Sequence, residues 1–142
     1  MKVILDTSVI ISMFATSGST LSKSIITLAI KKKITLVRSK ETYEELKQVI
    51  SQGTFKKLPG WQERKVARFI AWYKYNCIVE DTHGVLVNVQ LRDTSDIIFL
   101  QLAVKAKADA LVTLDKDFLS LNWGYQTEII RPEELIHKIR VG

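Results

Sequence analysis

Val3-Ile4-Leu5-Asp6-Thr7-Ser8 is the stretch that decides the fold. Three apolar residues run into a lone acid and two small hydroxyls. That is the pattern of a buried strand delivering a carboxylate to its C-terminal end. A second apolar run, Val9 to Ile11, follows at once, and far along the chain Leu111-Val112-Thr113-Leu114-Asp115-Lys116-Asp117 repeats the acid-rich strand end. In open α/β sheets, ligands bind outside the carboxyl ends of the strands. Two such ends carrying acids point to one divalent-metal site built from distant parts of the sequence.

Outward from these ends, Leu21, Ile25 and Leu28, with Ile26 and Ile30, recur at helical spacing and predict a helix over roughly 19–31. Lys31-Lys32-Lys33 closes it with positive charge at the negative end of the helix dipole. Ile34 to Val37 reads as a strand. Ser39 is the expected N-cap of the next helix, with Glu41 in its first turn, and Gly53 and Pro59-Gly60 break the chain after it. A helix from Trp61 to Tyr75 follows, then strands at Cys77 to Val79 and Val85 to Val89. A strongly apolar helix starts at Thr94 or Ser95 and runs to Lys107. Strands over Ala110 to Thr113 and Thr127 to Ile130 precede a C-terminal helix opened by Pro132 and reaching Arg140. The alternation predicts a three-layer α/β/α sandwich with a central, mainly parallel sheet. With no linker or repeat, residues 1–142 read as one domain.

Composition agrees. At 46% hydrophobic and 25% charged residues the chain is that of a globular protein. It holds no apolar stretch near the roughly 20 residues a bilayer span needs, and its start does not read as a signal peptide. No membrane association and a cytoplasmic location are the expectations. Cys77 is the single cysteine, so it has no intrachain partner and reads as a structural thiol. His83 and His137 lie too far apart for a local zinc spacing. The net charge of +6, from 21 basic and 15 acidic residues, favours a polyanionic partner.

Four acids carry the chemistry: Asp6, Glu45, Asp96 and Asp115. On the helix after Ser39, at about 100° per residue, Tyr43, Leu46, Val49 and Ile50 form the apolar stripe. Glu44 falls opposite it, in solvent, whereas Glu45 falls on its flank, where an acid reaches over a sheet edge. Asp93 and Asp96 both lie where a helix begins, and two acids exceed what capping needs. Asp117, two residues past Asp115, faces the same side if the chain there is extended. Oxygen donors without His or Cys favour Mg²⁺ or Mn²⁺. Such ions bind phosphates, so phosphoryl chemistry follows.

In these residues the chain resembles the PIN domain, the nuclease fold of VapC-type toxins of toxin–antitoxin pairs. The resemblance rests on Val3 to Ile10, on Tyr43-Glu44-Glu45-Leu46, on Arg92 to Asp96 with Phe99 to Ala103, and on Ala108 to Leu119. It implies an acidic quartet at Asp6, Glu45, Asp96 and Asp115, with Asp93 and Asp117 as accessory acids. It also implies Mg²⁺- or Mn²⁺-dependent cleavage of single-stranded RNA, a homodimer, and a small antitoxin protein as partner. Ser8 stands where Asn is common, and Lys40 replaces a frequent Pro. Two other readings compete: an aspartate-based phosphatase, which wants an acid where Ser8 stands, and a non-catalytic RNA-binding module of the same fold. The basic, aromatic-laced segment from Lys56 to Lys74 is a candidate RNA path, although Trp61, Phe69, Trp72 and Tyr73 read rather as core or dimer contacts.

Overall fold

A computed structural model describes residues 1–15 and 21–141. Five strands form one parallel sheet: β1 (Lys2–Leu5), β2 (Thr35–Arg38), β3 (Ile78–Val79), β4 (Ala110–Val112) and β5 (Glu128–Ile130), in the order β3-β2-β1-β4-β5. The helices are α1 (Thr7–Ala15), α2 (Leu21–Ile30), α3 (Lys40–Ser51), α4 (Glu63–Asn76), α5 (Ile97–Ala106), α6 (Lys116–Leu119) and α7 (Pro132–Val141). From β1 the chain winds outward through β2 to β3, then returns and winds the other way through β4 to β5. The direction therefore reverses between β1 and β4, and the crevice at such a switch point is where open sheets bind ligands.

Both faces of the sheet are covered, and successive strand residues show it. Val3 and Leu5 enter one core with Leu36, Ala110, Val112 and residues of α1, α2 and α7, while Ile4, Val37 and Leu111 enter a second core with Phe99, Leu100 and Phe118 of α5 and α6. The alternation of a strand with both faces buried is thus satisfied by two helical layers, as a three-layer sandwich requires.

One element was not expected from the sequence, and one expectation needs correction. The run Val9 to Ile11 belongs to α1, a helix buried at Val9, Ile10, Ile11 and Met13, so its apolar residues cover too much of the circumference to show a helical stripe. Val85 to Val89 is not a strand. Its period-2 alternation has another cause: Val87 and Val89 pack on the second core, Leu86 points out at 89% exposed, and Gln101 of α5 donates to the Val85 carbonyl at 3.0 Å. The segment lies against the helical layer that carries α5. Of the helix expected over roughly 19–31, α2 covers Leu21–Ile30, and residues 19 and 20 lie outside the described residues.

Ser39 caps α3 as expected. Its side chain accepts from the Thr42 N–H while the Thr42 hydroxyl accepts from the Ser39 N–H, closing a capping box. Arg38, at the end of β2, is buried; it donates to the Lys74 carbonyl at 2.9 Å and stacks its guanidinium 4.6 Å from the Tyr43 ring. These contacts tie β2, α3 and α4 together and fix how α3 leaves the sheet edge. The aromatics near α4 are absorbed internally: Phe14 meets Trp61 and Phe69, and Phe69 packs on Trp72 and Tyr73. Among the described residues no helix is long and apolar enough to cross a membrane.

Candidate active site

The site grows from the first residue past β1. Asp6 is buried, and two hydroxyls donate to the same carboxylate oxygen: Ser8 Oγ to Oδ2 at 2.8 Å and Thr113 Oγ1 to Oδ2 at 2.7 Å. Each hydroxyl in turn accepts a backbone N–H from the β4 end, Leu114 to Ser8 at 3.2 Å and Asp115 to Thr113 at 3.0 Å. The Asp6 N–H donates to the Val112 carbonyl at 2.9 Å. Two strand ends are thereby laced into one unit around a single carboxylate. Burial pushes the Asp6 carboxyl above its ordinary range; the hydroxyls oppose the shift and the charge of Asp115 adds to it.

Glu45 arrives from α3. Thr7 Oγ1 donates to its Oε2 at 2.6 Å, which aims the side chain at the β1 end. Partial burial raises its carboxyl, and the charges of Asp6 and Asp93 raise it further. Glu44, on the same helix, is exposed.

The two acids before α5 divide their work. Asp93 accepts from the Ser95 N–H at 3.0 Å and the Ser95 hydroxyl at 2.8 Å, and those bonds hold its carboxyl below the ordinary range. Asp96 makes no capping bond. Burial, reinforced in turn by Asp6, Asp93, Asp115 and Glu45, pushes the Asp96 carboxyl up to about 7. A group that feels four carboxylates at once lies among them.

Asp115 and Asp117 require a correction, because the chain between them is not extended. Asp115 caps α6, its Oδ1 accepting from the Asp117 N–H at 2.9 Å. Asp117 consequently turns outward in the first turn of that helix and pairs with Arg92 at 3.4 Å, in an exposed contact.

The sequence of residues 2–117 matches a family model, that of the PIN domain. The chain belongs to the PIN-domain family. No curated protein matches it. A solved chain from the complex of VapBC2 from Rickettsia felis bound to a DNA fragment from their promoter is similar in structure, with a TM-score of 0.59 at 14% identity. The likeness covers 92% of this chain and 98% of that one. At such identity it speaks for the fold, an α/β sandwich on a parallel sheet.

Three residues of this PIN domain hold the acids without being acids: Thr7, Ser8 and Thr113. The sequence does show small hydroxyls beside Asp6 and before Asp115; Ser8 serves Asp6 locally, but the partner of Thr7 emerges only when α3 packs on the β1 end and that of Thr113 only when β1 and β4 pair. The donor set is entirely carboxylate oxygen, which suits a hard divalent cation, and mutual repulsion among the acids gives a cation something to relieve. Among the described residues no three His, Cys, Asp or Glu side chains already converge on one point as a metal nest. The acids are nevertheless close enough for their charges to raise one another's carboxyls.

Proposed function

We propose that this chain is a metal-dependent endoribonuclease that hydrolyses phosphodiester bonds of single-stranded RNA, and that it is the toxin of a toxin–antitoxin pair. The observation carrying the reading is the electrostatic convergence of Asp6, Glu45, Asp96 and Asp115 at the switch point of the sheet. Asp6, Asp96 and Asp115 would hold Mg²⁺ or Mn²⁺. When bound, such an ion stabilises the charge that develops on the phosphate oxygens. The chain's own groups do the rest. Ser8 and Thr113 both occupy Oδ2 of Asp6 and so orient its other oxygen. Thr7 fixes one oxygen of Glu45, leaving the other to orient the attacking water. Asp93 and Asp117 act as accessory acids at the rim.

Membership of the PIN family and the likeness to a chain of the VapBC2 complex support a small antitoxin protein as partner. Trp61, Phe69, Trp72 and Tyr73 have internal partners, so support for a homodimer comes from the resemblance alone.

The test is cleavage of a mixed single-stranded RNA pool with Mg²⁺ or Mn²⁺, with EDTA, and by Asp6→Asn. Cleavage only by the wild type with metal is expected. Equal cleavage in all three overturns the assignment of the acids, and RNA binding without cleavage favours the non-catalytic module.

A further inference from the structure

A cavity of about 370 Å³ opens beside Asp96, with Asp93, Asp117, Gln90, Arg92 and Asn122 on its walls. Its size lies within the roughly 300–1,000 Å³ of small-molecule sites. It shares Asp96 with the acid cluster, so whatever fills it sits next to the reacting bond. Neither Asp6 nor Glu45 lines it, so it is more than the metal site itself.

Its chemistry narrows the occupant. With Asp96 assigned to the metal, Asp93 and Asp117 still disfavour a phosphate here, and Arg92 beside them disfavours a cation; a neutral group able both to donate and to accept hydrogen bonds suits the pair. Arg92 is 83% exposed and reaches its partner, Asp117, at 3.4 Å. An exposed ion pair of that kind is weak and exchanges readily for a ligand. Guanine is the base that complements both members of such a pair. Its N7 and O6 accept from a guanidinium, and its N1–H and N2–H₂ donate to a carboxylate. The two edges meet at O6, so a neighbouring guanidinium and carboxylate reach both. Adenine offers no such pair of donors.

We propose that this cavity holds a guanine of the RNA substrate beside the bond that is cut, with Arg92 donating to N7 and O6 and Asp117 accepting from N1–H and N2–H₂. Arg92 and Asp117 are then specificity-determining residues. The inference rests on the ribonuclease reading above.

Binding separates the two. Fluorescence anisotropy with Asp6→Asn protein compares oligouridine carrying one central guanine with the same strand carrying adenine, inosine or 7-deazaguanine. Guanine is expected to bind about tenfold more tightly than adenine, as one good bidentate contact allows. Inosine loses the N2 contribution and 7-deazaguanine the N7 contribution. The preference should vanish in Arg92→Ala and in Asp117→Asn, both exposed positions whose melting temperatures should stay at the parent value. Equal binding of guanine and adenine, or a preference that survives Arg92→Ala, overturns the proposal. A wild type that cuts RNA with no regard to guanine overturns it while leaving the ribonuclease reading. An inert wild type whose Asp6→Asn variant still selects guanine overturns the ribonuclease reading and leaves the cavity assignment standing.

Discussion

Asp6 and Asp96 belong to one cluster and are held in opposite ways. Asp6 sits at the junction of two paired strands, with two hydroxyls on one oxygen and backbone amides behind each hydroxyl. Asp96 closes a short 3₁₀ turn, Thr94–Asp96, that leads into α5, makes no capping bond, and is pushed up to about 7 by burial and by its neighbours' charge. The first is an anchor built from hydrogen bonds. The second is a carboxyl governed by burial and repulsion. A metal site needs both: a fixed ligand to define where the ion goes, and ligands whose repulsion the ion relieves.

The largest effect should come from removing the anchor's charge. Asp6→Asn keeps the shape and the acceptor for Ser8 and Thr113, and is expected to lower RNA cleavage by orders of magnitude. In EDTA the same protein should melt higher than the wild type, because one repulsive charge is gone. A variant that melts lower would mean that Asp6 serves mainly as a structural acceptor.

Breaking the lacing is the next test. Thr113→Val preserves volume but strips Asp6 of one donor and leaves the Asp115 N–H without its acceptor. Urea denaturation should show a loss of about 1–3 kcal/mol, and cleavage should fall although all four acids remain. Unchanged stability would show that the strand ends hold Asp6 without the hydroxyl.

Acidity probes Asp96. A carboxyl whose folded pKa stands above its unfolded value binds its proton more tightly when folded, so its stabilising contribution is fullest at low pH and fades as pH rises through the folded value. Asp96 is raised from 3.8 to about 7, and Asp6 and Glu45 are raised in the same direction. In EDTA the melting temperature should therefore decline as pH rises from 3.8, the ordinary value, to about 7, the folded one, a window set by the Asp96 shift, and level off above it. The decline should be shallower in Asp96→Asn. An identical slope in the two proteins would place the repulsion elsewhere.

The smallest effect is expected at Glu44 of α3. Glu44→Gln should stay within about 0.5 kcal/mol and leave cleavage unchanged, as surface substitutions do. Glu45→Gln, one residue on, should reduce cleavage strongly.

The readable parts of the fold were those in which one local pattern has one cause. β1, β2, β4 and β5 each pair a short apolar run with a boundary signal, and α3 displays a stripe, a cap and a flank that separates Glu45 from Glu44. α1 was hidden because a helix buried nearly all round shows no stripe and because Val9-Ile10-Ile11 imitates a strand. Val85 to Val89 misled for the converse reason: packing against a helix imposes the same alternation as pairing in a sheet. In the cluster, the acids could be picked out singly from strand ends and helix starts. Ser8 is local to Asp6, and only its bond from Leu114 is not. The roles of Thr7 and Thr113 could not be read, because one depends on a contact across 38 residues and the other on the meeting of β1 with β4, 107 residues apart for Thr113 and Asp6.

That last separation also sets a clock. The strand at the centre of the sheet leaves the ribosome 107 residues ahead of the hydroxyl that completes Asp6. At about 5–20 residues per second, synthesis needs roughly 5–20 s to bring Thr113 to Asp6. Throughout that interval the nascent chain carries the Asp6 carboxylate without the Thr113 hydroxyl that helps orient it. If the chain is a ribonuclease, it is harmless to the message and ribosome producing it until nearly the whole family-matched region has been made.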